Sequence, residues 1–279
     1  MTDNKILSVD IDTAEAFSTS WNNLPTGSVY TFDQFREWFE PLTRSDVEGK
    51  TVVELGCGGG NLMTHMLTWK PRHLVGVDLG SSVEMAKRNC ASFPVDSWTV
   101  EKADMVEYRG EPADLSFCIG VLHHLKDPEA GVRSLIENTK RGGRFHGWVY
   151  AHEGNAVIRY VVDPIRKVAS ALPWWFTKYF LVTPLVTPFY LYAKFWRAVG
   201  FPKVMSFLPL YEYAKWISAR DFSFFRHVAF DQLVTPQTTY VTKARVESWL
   251  NSDEVEKGST YLIFRNGNSW KFGGRRKAV

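Results

Sequence analysis

The run VVELGCGGGNLM, Val52 to Met63, constrains this chain more than any other stretch. A β-rich segment ends in four glycines within five positions, and Leu62, Met66 and Leu67 then recur at helical spacing. Strand, glycine turn and helix in that order form the first unit of a parallel α/β sheet. The loop also narrows the ligand. A dinucleotide loop needs G-x-G-x-x-G, and counting from Gly56 the sixth position is Asn61. A P-loop needs a lysine after its glycines, and none follows. Glu54 stands two residues before Gly56, where its charge would repel a phosphate. An acid at a glycine turn suits a cationic or amine-bearing ligand instead.

The pattern repeats as far as Tyr150. HLVGVDL reads as a second strand and SSVEMAKRNCASF as a helix opened by a serine cap. WTVEKADM and ADLSFCIGVL read as strands, DPEAGVRSLIENTK as a helix with proline in its first turn, and GRFHGWVY as a fifth strand. Near the C-terminus TKARVESWL reads as a helix. TYLIFR and NSWKFGGRR flank Asn266-Gly267, a pair that supplies the positive φ values of a tight hairpin turn. The expected fold is a doubly wound, Rossmann-like α/β sheet that ends in an antiparallel hairpin.

Residues 151–230 interrupt this order. They hold 20 of the 41 aromatic residues, and ten Lys/Arg against four Asp/Glu. Prolines at 164, 173, 184, 188, 202 and 209 should cut the region into short helical pieces. The expected organisation is an N-terminal cover over 1–49, a core over 50–150, a helical aromatic-rich lid inserted over 151–230, and completion of the core over 231–279. Residues 174–196, WWFTKYFLVTPLVTPFYLYAKFW, are long enough to suggest a membrane span. Lys178, Lys194 and two prolines argue against crossing, and the aromatics crowding both ends allow peripheral membrane contact beside the lid reading.

Two further acids complete the ligand. Asp78 ends the second strand 22 residues after Gly56, where a carboxylate accepts hydrogen bonds from ribose hydroxyls. Asp104, in KADM, can accept from an adenine amino group. Ribose, adenine and a positively charged amino-acid end together describe S-adenosylmethionine. VVELGCGGGN, VGVDLG, KADM, CIGVLHHLKDP and KRGGRF resemble the successive motifs of class I S-adenosylmethionine-dependent methyltransferases, strongly over Lys50 to Tyr150 and again in the closing hairpin. That resemblance implies a seven-stranded sheet, S-adenosylmethionine as cofactor and S-adenosylhomocysteine as product. By it Gly56, Gly58 and Gly60, with Cys57 and Glu54, approach the methionine part. Asp78 with Leu79 holds the ribose, Asp104 with Met105 the adenine, and Ile119-Gly120 lines the methionine side.

The acceptor side of such enzymes follows the fourth and fifth strands. His123 and His124 are candidates for a general base, with Tyr150 beside them. Trp21, Tyr30, His152, Arg226 and Tyr240 are candidate acceptor contacts. The chain lacks the Asn/Asp-Pro-Pro-aromatic loop of base amino-methylating enzymes, and Cys118 lies inside a strand. The acceptor expected is a small molecule methylated at oxygen, or next at nitrogen or carbon: a secondary metabolite or an apolar, aromatic or lipid-linked compound. The alternatives are an RNA or protein methyltransferase that docks through the basic insertion, and a non-catalytic cofactor-binding subunit.

Composition sets bounds. Hydrophobic content of 45% and charged content of 23% are those of a globular protein, and a net charge of +3 does not by itself argue for nucleic acid. Cys57, Cys90 and Cys118 lack ligand spacing, so no metal site is expected. With no apolar leader at the N-terminus, the expected location is the cytoplasm.

Overall fold

The computed structural model describes residues 11, 13–15, 18, 30–156, 158–169, 172–208, 211–235 and 237–278. The chain divides into two compact units, residues 1–156 with 237–279, and residues 157–236.

The first unit is built on a seven-stranded sheet in the order β3-β2-β1-β4-β5-β7-β6. Its strands are β1 Thr51–Leu55, β2 His73–Asp78, β3 Trp98–Lys102, β4 Ala113–Ile119, β5 Thr139–Tyr150, β6 Tyr261–Arg265 and β7 Ser269–Arg275. β1 to β5 run parallel, while β7 is antiparallel to both β5 and β6. Helices Asn61–Thr68, Val83–Cys90 and Pro128–Glu137 make the crossovers. The order reverses between β1 and β4, and a doubly wound sheet opens its ligand crevice at such a point. The hairpin turn follows from Asn266 and Gly267, both at positive φ.

Side-chain alternation sorts the core onto two faces. On β1, Val53 and Leu55 join helices Pro128–Glu137 and Lys243–Leu250 in one apolar cluster. Val52 joins Met63 and Met66 on the other face, with Phe35 and Phe39 of helix Phe32–Phe39. Phe35 and Phe39 are fully buried, and each such side chain contributes roughly 1.5–3 kcal/mol. Helix Phe32–Phe39 is fixed by a Thr31–Gln34 capping box and packs on the sheet, with the Phe39 and Phe117 rings 4.8 Å apart.

Several local expectations are corrected. The helix expected over DPEAGVRSLIENTK ends at Glu137, and β5 already begins at Thr139. Thr139 pairs with Ala113 across a register shift, with Gly142 at positive φ, so Arg141-Gly142-Gly143 lies in an irregular stretch of β5. Ser82 precedes helix Val83–Cys90 but makes no capping hydrogen bond, because its hydroxyl turns to Asp78. β3 stops at Lys102, so Asp104 sits in the turn beyond it.

The second unit is helical, with helices Asp163–Ala169, Thr183–Ala198, Tyr211–Ser218 and Phe222–Val234 around Val182, Val186, Ala193, Ile217, Phe225 and Leu233. The prolines do not all divide it. Pro184 falls in the first turn of Thr183–Ala198, where its missing N–H is not needed, and Pro188 lies inside that helix. Helical backbone is continuous from Trp174 to Ala198 through a π turn over Thr177–Val182. Among the described residues, no helix is long and apolar enough to cross a membrane.

Candidate functional site at the strand tips

β1 ends into the glycine loop. Gly56, Gly58 and Gly60 all have positive φ, a backbone that L side chains rarely adopt. A Cβ at Gly56 would run into the side chain of Val121, and one at Gly60 would meet the Ala86 Cα at 2.9 Å. A Cβ at Gly58 would meet nothing within 4 Å. The loop therefore packs closely against β4's exit and helix Val83–Cys90, and its middle glycine opens to space. Asn89 fixes the loop from outside by donating to the Gly59 carbonyl at 2.8 Å.

Asp78 ties this loop to β2. Its Oδ2 accepts from the Gly58 N–H at 2.8 Å, and its Oδ1 accepts from the Gly80 N–H at 2.8 Å and the Ser82 hydroxyl at 3.3 Å. A carboxylate offers about four acceptor positions, so Oδ2 can still accept one donor. Burial raises the Asp78 pKa, opposed by those N–H donors. Glu54 is buried below the loop, and its Oε2 has no hydrogen-bond partner among the described residues. Burial, then the nearby Asp78 charge, holds the Glu54 pKa well above the ordinary carboxylate range. An ionised Glu54 in this setting calls for a cation.

The remaining cofactor candidates line the same edge. Cys57 and Met105 are buried, and Leu79 follows Asp78. Asp104 Oδ1 accepts from the Val106 N–H at 2.8 Å, which holds its turn rigid. Gly120 leaves β4 at φ +81, next to Ile119. Burial pushes all three cysteine thiols up, Cys90 to about 12, so they stay protonated and are packing residues.

The tips of β4 and β5 gather a second group. His123 is fully buried, with its ring centroid 4.2 Å from those of both His124 and Tyr150. Trp148 lies 5.8 Å from His123, and Tyr240 stacks on Tyr150 at 6.2 Å. The Trp148 Nε1 is buried with no partner among the described residues. His124 Nδ1 faces the Gln237 carbonyl at 2.9 Å. A carbonyl only accepts, so Nδ1 donates to it, and the Thr238 hydroxyl lies 3.2 Å from the same nitrogen. The segment after the insertion is pinned here by Thr239 N–H to the His123 carbonyl (2.7 Å) and by Gln237 Nε2 to the Leu125 carbonyl (3.0 Å). A bidentate Arg245–Glu129 pair at 2.6 and 2.7 Å joins the helices behind it.

The other acceptor candidates have partners of their own. His152 donates its N–H to the Val241 carbonyl at 2.9 Å, at the root of the insertion. Tyr30 packs edge-on against Trp38 at 4.7 Å and accepts from His65 through its carbonyl. Arg226 belongs to the second unit, with its guanidinium over Tyr179 and Phe222. Trp21 lies outside the described residues. Val121, Trp148 and Gln237 were not singled out from sequence. Only Val121 left a local trace, two positions after the end of β4.

Sheet order, glycine loop and strand-end acids define the class. Residues 53–146 match the family model of a methyltransferase domain, and this segment is a class I S-adenosylmethionine-dependent methyltransferase domain. S-adenosylmethionine is its cofactor. Among curated relatives, a tRNA U34 carboxymethyltransferase of Sulfurovum sp. (strain NBC37-1) is 33% identical over 100 residues, which are 35% of this chain and 33% of the relative. A ubiquinone biosynthesis O-methyltransferase of Pseudomonas savastanoi pv. phaseolicola is 27% identical over 104 residues, 36% of this chain and 44% of the relative. The chain thus spans less than half the length of these relatives. Among solved structures, a magnesium protoporphyrin IX methyltransferase from Synechocystis PCC 6803 with bound S-adenosylhomocysteine aligns with a TM-score of 0.50 at 13% identity, over 88% of this chain and 81% of that one. At that identity the likeness concerns the fold.

The site fits the cofactor on its own terms. Among the described residues, Glu54 is a buried acid whose Oε2 lacks a donor, Gly58 faces open space, and Asp78 keeps an acceptor position on Oδ2. Glu54 would hold the ammonium end, Asp78 the ribose diol, and the turn at Asp104 the adenine.

Proposed function

We propose that the whole protein transfers a methyl group to an oxygen of a small apolar or aromatic acceptor, lipid-linked compounds included. The bound cofactor supplies an electrophilic methyl on its sulfonium. The protein's own part is to orient the acceptor, exclude water and take its proton. The observation that carries this reading is the ring cluster of His123, His124, Trp148, Tyr150 and Tyr240. Ring faces suit a flat apolar acceptor, and the Trp148 N–H suits its oxygen. We assign the base to His124, whose ring the Gln237 carbonyl orients through Nδ1. His123, fully buried between two rings, positions His124 and Tyr150. We further propose that the inserted unit, with its aromatic and basic composition, selects the acceptor.

The likeness to a tRNA-modifying enzyme and the basic insertion favour a second reading, methylation of RNA. Incubation of cell extract with methyl-labelled S-adenosylmethionine separates the two. Label in the solvent-extractable fraction is expected. Label in precipitated RNA supports the second reading, and no transfer at all leaves a cofactor-binding subunit. His124→Ala should lower turnover about a hundredfold or more with cofactor affinity unchanged. Equal loss of cofactor affinity would make His124 structural.

A further inference from the structure

The second unit carries a charge pattern unlike the rest of the chain. From Pro164 to Tyr211, 48 residues contain no Asp or Glu, and they include six Lys/Arg. Among the described residues, most of the exposed large apolar side chains lie in the same stretch. On the continuous helical run and at its C-cap Val199, the exposed side chains are Trp175, Phe180, Leu185, Leu191, Phe195 and Val199, with Phe180, Leu191 and Phe195 each about 60% accessible. Leu191, Phe195 and Val199 follow at steps of four, with exposed Pro184 and Pro188 before them, so one helical face is solvent-facing and apolar. The next loop repeats the arrangement: Lys203 is exposed, and Val204 and Phe207 are each 75% accessible.

Contiguous exposed apolar faces on soluble proteins mark interaction sites. A second copy of the chain fits it poorly, because an isologous contact would bring one acid-free cationic stretch against another. RNA would use the cations but not aliphatic Leu191 and Val199. Rings, aliphatic side chains and cations without acids match the headgroup boundary of an anionic bilayer, where the apolar face enters the acyl region and cations near the surface add electrostatic attraction. Among the cations of the stretch, Arg197 and Lys203 are exposed. Lys178 lies over the Trp174 ring, and Arg197 and Lys194 reach the Ser218 carbonyl at 2.8 and 3.0 Å.

We propose that residues 157–236 form a peripheral docking module that lays the Trp174–Ala198 helical run along the surface of an anionic lipid bilayer. The proposal rests on this unit alone and stands whether or not the first unit transfers methyl groups.

The test is flotation of the full-length protein with vesicles of phosphatidylcholine, and with vesicles of phosphatidylcholine and phosphatidylglycerol in equal parts. Co-flotation with the anionic vesicles only, weakened by salt, is expected. The double variant Leu191→Ser, Phe195→Ser should partition at least about tenfold less, and Lys203→Glu should weaken binding measurably, both with an unchanged melting temperature. Both sites are exposed, so these variants should fold. Absence of co-flotation overturns the proposal, as does equal binding to both vesicle types or full binding by the double variant. A dimer in sedimentation velocity that the double variant dissolves, without vesicle binding, would assign the face to a second copy and also overturn it.

Discussion

The backbone N–H of Gly58 donates to Asp78 Oδ2 at 2.8 Å, so the glycine loop after β1 and the end of β2 are joined by one hydrogen bond. The acid proposed to meet the ribose is therefore also the acid that shapes the loop. Substitution at Asp78 should affect both the cofactor and the fold around it.

Asp78→Asn tests that double role. The carboxylate accepts from two backbone N–H groups, one on each oxygen, whereas an amide has a single oxygen. One N–H must then face an NH2 group. The stabilisation that S-adenosylhomocysteine gives to the melting temperature should fall, with affinity lower by about tenfold or more, since a hydrogen bond to a charged group is worth roughly 1.5–3 kcal/mol. Unchanged affinity would remove Asp78 from the site.

Glu54 gives a pH signature. Its folded pKa is raised by burial, so the folded protein holds a proton that the unfolded chain releases at ordinary acid pH. That contribution to stability is complete below the unfolded pKa and is lost as pH rises through the folded one. A cationic ligand favours the ionised form, so cofactor binding should release a proton and tighten as pH rises. Glu54→Gln should raise the melting temperature of the ligand-free protein at neutral pH, weaken S-adenosylhomocysteine binding, and flatten its pH dependence. Calorimetry in two buffers of different ionisation enthalpy reads the proton release directly.

His146 acts in the opposite direction. It is fully buried, donates from Nε2 to the Trp38 carbonyl at 2.8 Å, and pairs through Nδ1 with the Tyr261 hydroxyl at 2.6 Å. Burial lowers its pKa to about 4. The unfolded chain protonates near the ordinary value of 6.5 while the folded protein does not. Stability is therefore complete above that value and is lost as pH falls toward the folded pKa, by up to about 3 kcal/mol. Urea unfolding over this range should show the loss, and the difference between wild type and His146→Gln should shrink as the pH drops.

The cofactor half of the site is legible in the sequence because its signals are local. A strand, a glycine turn, a helix and an acid at the next strand's end follow one another within 27 residues, from Val52 to Asp78. The Asn266-Gly267 turn is equally local. The acceptor half is not. Gln237 orients His124 from 113 positions away, and the intervening unit leaves and re-enters beside the Ala151–Val241 bridge. No spacing rule connects such pairs. Pro188 misled for a related reason: propensity predicts a break, but Val186 and Ala193 are buried in the core of the second unit, and that packing holds the helix across it. The Ser82 hydroxyl could serve a helix end or Asp78, and only the folded loop decides between them.

The most direct measurement is isothermal titration of the pure, folded protein with S-adenosylhomocysteine, run beside Glu54→Gln and Asp78→Asn. Saturable binding of one molecule per chain, weakened by either substitution, is the expected result. No heat with the wild type at any pH in its stable range would contradict the account.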